Sequence, residues 1–203
     1  MWYCHKDKHV TQWNRIKIPD INPYLQSVDF YKHAIAADNG EPKSSLPYYY
    51  LIDNLLADNR ADEAEQYLKL FAKLPSANPV MVDIYKAYVA LARYDVSHAD
   101  EIISECVKDH ANDFGYLFEA AQYYVKRCDY TKALELYERS WAAGESPRFT
   151  DSLQGIAKVC KIMGNKEGAI SAYERILDCL KNEWGYANDD KPCADIYRMI
   201  SNI

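Results

Sequence analysis

Apolar and polar positions over residues 22–203 recur with a helical period rather than a strand period. In 112–128, Leu117, Ala120, Ala121 and Tyr124 fall on one helix face, and Leu134, Tyr137 and Trp141 do the same in the following stretch. Residues that interrupt helices stand between such stretches: Asp58-Asn59, Asp95, Asp129 and Gly164-Asn165, then Pro75 and Pro79, Asn112-Asp113 and Pro147. The pattern predicts helix pairs joined by tight turns. First members are expected near 45–58, 79–94, 112–128 and 148–163, and second members near 61–74, 97–110, 131–143 and 166–182. A single leading helix is predicted over 22–38, where Asn22 can cap and Pro23 suits the first turn. After a linker at 185–192, a short helix with Ile196, Met199 and Ile200 is expected over 193–202.

The pairs repeat. Ala64, Ala99, Ala133 and Ala169 recur at intervals of 35, 34 and 36 residues, each followed four positions later by Leu68, Ile103, Tyr137 or Tyr173. Twelve residues before each alanine stand Ile52, Ala87, Ala121 and Ala157, so three of the four pairs carry small residues where two helices can approach closely. The pattern resembles the tetratricopeptide repeat (TPR) family, most clearly over Phe114 to Pro147 and next over Thr150 to Glu183. It lacks that family's Trp and Leu-Gly pair in the first helix. The resemblance implies an all-α fold, a right-handed superhelix or α-α solenoid of four hairpins over 43–183. On this reading 22–203 form one domain, with 22–38 leading and 193–202 capping the last apolar face, while 1–21 form an arm outside the repeats.

Charge and composition narrow the function. Of 203 residues 24 are Lys or Arg and 30 are Asp or Glu, a net charge of −6, which offers no electrostatic footprint for nucleic acid or anionic lipid. No stretch reaches the roughly 20 apolar residues of a membrane span, and no signal-peptide-like run follows Lys6 and Lys8. Six cysteines without a CxxC pair in an apolar-rich chain suit a reducing, cytoplasmic setting. Tyrosine is in surplus at 18 residues, and its large area and polar tip suit helix packing and binding surfaces alike.

Catalytic signatures are missing from the sequence: there is no GxxxxGK[ST], GxSxG or HExxH, so a non-enzymatic protein without a cofactor is expected. Cys4, His5 and His9 have a spacing that could contribute zinc ligands, against the plainer reading of a polar N-terminus. The TPR resemblance implies a concave groove lined by the first helices, which takes an extended protein or peptide segment. One-turn steps along those helices select Tyr49, Tyr50 and Asp53, then Tyr85 and Tyr88, then Phe118 and Gln122, then Gln154, Lys158 and Lys161. This order runs from aromatic and acidic to basic, with the lysines placed to meet an acidic segment. The competing reading puts Tyr85, Tyr88 and Phe118 in the packing between neighbouring hairpins. TPR proteins that grip a free C-terminal carboxylate use a Lys and Asn cluster where Tyr49, Asp53, Tyr85 and Tyr88 stand, which argues against that ligand. The resemblance extends to adaptors, immunity-type inhibitors and secretion chaperones. The alternative is a structural, self-associating protein that dimerises through the C-terminal helix.

Overall fold

The computed structural model describes residues 23–37, 39 and 44–203. Among them the chain is all-α, with ten helices and no strand, and each helix follows close to its predicted span. The N-terminal arm, with Cys4, His5 and His9, lies outside the described residues. Two compact units form, Met1–Ala77 and Asn78–Ile203, and the break falls between the helix breakers Pro75 and Pro79.

The first unit contains α1 (Pro23–Ala37), α2 (Leu46–Ala57) and α3 (Ala61–Phe71), each packed on the next. Pro47 sits in the first turn of α2, where its missing N–H costs no helical hydrogen bond. Val28, Ile35, Leu51, Ile52, Leu55, Ala64, Leu68 and Phe71 are buried between the three. Glu63 of α3 ties the elements together by pairing with Lys32 of α1 and with Arg60.

The second unit holds three hairpins: α4 (Pro79–Ala92) with α5 (Val96–Asp109), α6 (Phe114–Lys126) with α7 (Tyr130–Ala143), and α8 (Asp151–Ile162) with α9 (Lys166–Asn182). A final helix, α10 (Lys191–Ser201), packs on α9 and buries Cys193 and Ile196. Side-chain caps start five of these helices. Asn78, Asp95, Asp113, Asp129 and Asn165 each accept a hydrogen bond from a backbone N–H of the first turn, a contact worth about 1 kcal/mol.

Four hairpins among the described residues turn in the same way. One residue takes a left-handed conformation at Asn59 (φ 58°), Tyr94 (63°), Cys128 (59°) and Gly164 (74°). The next residue's N–H then reaches back to a carbonyl near the helix end: Arg60 to Leu55 at 2.8 Å, Asp95 to Ala90 at 3.0 Å, Asp129 to Tyr124 at 3.0 Å and Asn165 to Cys160 at 2.8 Å. These are the long-range bonds of a Schellman ending, and they satisfy carbonyls the helix would leave open. On either side of the turn the matching positions are covered. Ile52, Ala87, Ala121 and Ala157 are fully buried, as are Ala64, Ala99, Ala133 and Ala169, which fixes the register of all four pairs, the second included.

Backbone approach distinguishes the two layers of the second unit. α4 touches α6 and α6 touches α8, whereas the backbones of α5, α7 and α9 stay apart. Arg175 of α9 spans the outer gap with a two-pronged bond to Glu138 of α7, at 2.6 and 2.8 Å. The first helices therefore form the closer-packed, inner layer. No helix among the described residues is long and apolar enough to cross a membrane.

Candidate functional site

The inner layer of the second unit carries seven of the ten predicted groove residues, and their surroundings differ from helix to helix. On α4, Tyr85 is buried, and Tyr88 is 9% exposed, with its ring 5.9 Å from that of Tyr123 on α6. Tyr123 donates from its hydroxyl to Asp100 at 2.7 Å, and Arg127 donates to the same carboxylate at 3.1 Å. Burial and that bond to Asp100 both raise the pKa of the Tyr123 hydroxyl, which keeps it a donor. Lys126 of α6 sits 3.7 Å above the Tyr88 ring, a cation–π contact that covers what the helices leave open. Tyr116 belongs to the same seam. Its hydroxyl donates to Asp83 at 3.3 Å, and burial with the nearby Asp83 charge pushes its pKa up to about 12.

On α6, Phe118 and Gln122 are half-buried, and the Phe118 ring lies 5.7 Å from Tyr137. Tyr137 is buried beneath α8, where Gly155 makes room for it. A Cβ built on Gly155 would come within 2.5 Å of the Tyr137 ring, so only glycine permits this approach. On α8, Gln154, Lys158 and Lys161 form one exposed stripe. Gln154 donates to Thr150 at 3.1 Å, whereas Lys158 and Lys161 make no ion pair or hydrogen bond with the described residues.

The remaining three candidates belong to the first unit, where Tyr49, Tyr50 and Asp53 are half-buried on α2. Tyr50 stacks on Tyr31 of α1 at 5.2 Å, and Tyr49 meets the Phe71 ring edge-on at 5.2 Å. Both rings give part of their area to packing and leave part open.

Comparison with known proteins adds no relative. No family model matches the chain, and no curated protein matches it at a significant level. The site is therefore read from its own chemistry. Among the described residues no group of three or more His, Cys, Asp or Glu side chains could hold a metal ion. Burial pushes the Cys106 thiol up to about 11 and raises those of Cys160 and Cys179, so none is poised as a thiolate. His98 is exposed and lies 3.7 Å from Glu101 on its own helix. What the inner layer offers is a surface: half-covered Phe118 and Gln122 on α6 beside exposed Gln154 and uncompensated positive charge on α8.

Two features of the second unit were not legible in the periodicity. One is Lys126 over Tyr88, a contact across α4 and α6. The other is a group of partly exposed aromatics at the far ends of the helices, around Phe114, Trp141, Phe149 and Trp184. Phe149 and Trp184 carry a faint signal in the sequence, since both are large aromatics at segment boundaries rather than within an apolar stripe.

Proposed function

We propose that the protein is a non-enzymatic interaction module of the TPR type, whose inner helical layer in Asn78–Ile203 receives an extended acidic segment of a partner protein. The observation that carries this reading is the α8 stripe, where Lys158 and Lys161 stand exposed one turn apart in a chain of net charge −6. Lysines in such a chain gain most when an incoming carboxylate meets them, and the amides of Gln122 and Gln154 can bond an extended backbone alongside. Phe118, half-buried and held against Tyr137, supplies a rigid apolar contact. Such a module works as an adaptor, or covers a partner's functional surface in the manner of an inhibitor or secretion chaperone. The cysteines among the described residues are free, which supports a reducing, cytoplasmic setting.

The test uses a fluorescein-labelled peptide of alternating glutamate and leucine, followed by anisotropy. Binding should weaken about tenfold on combined Lys158→Glu and Lys161→Glu substitution, and should fall steeply with added salt. Affinity indifferent to both changes removes the reading. Self-association is a second reading, favoured by Tyr197 and Met199, which remain 40% and 43% exposed on α10. Light scattering that gives a monomer mass at every concentration disposes of it.

A further inference from the structure

At the ends of α6, α7 and α8 lies a cleft of about 490 Å³, walled by Phe114, Trp141 and Phe149 and rimmed by Asp113, Glu145 and Arg148. Its floor is polar but satisfied. Ser140 and Ser152 share a 2.8 Å hydrogen bond, and the Ser140 hydroxyl also bonds the Phe114 carbonyl at 2.8 Å. Two of its walls are open: Phe114 is 52% and Phe149 65% exposed. Clustered aromatic surface left open on a folded chain marks a contact site more often than a single exposed ring does.

The cleft is held open by a clamp across 35 residues. Arg148 donates to Glu183 at the end of α9 from its backbone N–H at 2.8 Å and from Nε at 2.9 Å. The Arg148 carbonyl in turn accepts the Trp184 indole N–H at 2.7 Å, which brings that indole 5.8 Å from the Phe149 ring. The Arg148 guanidinium lies 4.1 Å over Trp141, so one wall of the cleft already stacks a guanidinium.

The charge around the cleft is one-sided. Glu183 neutralises Arg148, the one cation among the described residues that line the cleft. Asp113 accepts the N–H groups of Gly115 and Tyr116, so the start of α6 meets part of its charge. Glu145 is exposed and makes no ion pair or hydrogen bond with the described residues. Two carboxylates beside open aromatic faces complement a cation carried on an apolar stem.

We infer that this cleft is a second docking site, which takes an arginine-bearing basic segment of a partner protein and is separate from the inner helical layer. The guanidinium would stack on Phe114 or Phe149 while Glu145 and Asp113 accept its N–H groups, a planar match that lysine makes less well.

The test titrates the isotope-labelled full chain with a peptide of alternating arginine and leucine, and with the same peptide carrying citrulline, the neutral isostere of arginine. Indole N–H signals of Trp141 and Trp184 should shift saturably with the arginine peptide. The affinity should drop about tenfold with citrulline, with Phe149→Ala, and with Glu145→Gln combined with Asp113→Asn, where asparagine keeps the helix cap. The Lys158→Glu, Lys161→Glu protein should bind the arginine peptide undiminished, which separates this site from the one on α8. Equal binding of the citrulline peptide overturns the inference, as does a shift pattern that leaves both indoles unmoved, or an affinity unchanged by the carboxylate variants.

Discussion

The seam between α4 and α6 and the seam between α6 and α8 use equivalent positions of successive hairpins to opposite ends. Ile84, Phe118 and Gln154 stand at one repeat position, and they are fully buried, half-buried and exposed in turn. Tyr88, Gln122 and Lys158 follow the same gradient at the next. The period fixes which way a side chain faces relative to its own hairpin. Whether that side chain is covered depends on the bulk a neighbouring helix brings, and α6 brings Tyr123 and Lys126 against Tyr88 of α4. The tyrosines of the α4–α6 seam are packing material first, and free charge is left at α8.

The largest test of this contrast truncates matched positions. Ile84→Ala should cost roughly 2–5 kcal/mol in denaturant unfolding, whereas Gln154→Ala should stay within about 0.5 kcal/mol. Similar costs at both would mean that the two positions are covered alike. Next in size is Gly155→Ala. Replacing a helical glycine with alanine ordinarily stabilises by up to about 1 kcal/mol, but here the new Cβ meets the Tyr137 ring, so a loss of roughly 1–3 kcal/mol is expected. A higher melting temperature for that variant would show that Tyr137 can slide aside.

Much of this architecture is legible in the residue string, because its causes are local. Asp95, Asp129 and Asn165 announce helix starts, and the paired alanines announce where helices touch. The starting point of α8 was less so. The spacing predicts a helix from 148, but Arg148 is held by Glu183, and the helix begins at Asp151. A contact between residues 35 apart leaves no periodic trace. The division of tyrosines between seam and surface is hidden for the same reason, since Tyr85 and Tyr49 look alike in sequence and differ through what lies against them.

Smaller effects probe the joints. Cys128→Gly and Tyr94→Gly should each stabilise by about 1 kcal/mol, because both residues hold a left-handed backbone and are exposed, so little contact is lost. Gly164→Ala should lose a similar amount, measured by the same thermal melts. The clamp at Glu183 adds a pH dependence. Its hydrogen bonds from Arg148 hold the carboxyl down at about 2, against an ordinary 4.5. Its contribution is therefore present in full above pH 4.5 and declines as pH falls towards 2. The stability difference between the natural chain and Glu183→Gln should narrow over that window; a constant difference would place the charge outside the clamp.

The four joints have one further consequence. Asparagine, tyrosine, cysteine and glycine occupy the same corner with φ between 58° and 74°. A bend that four unlike side chains can occupy is written in dihedral angles rather than in letters. Sequence at the corners is then free to drift while the rods on either side keep their angle, and the architecture can outlast the resemblance by which two such chains would be matched.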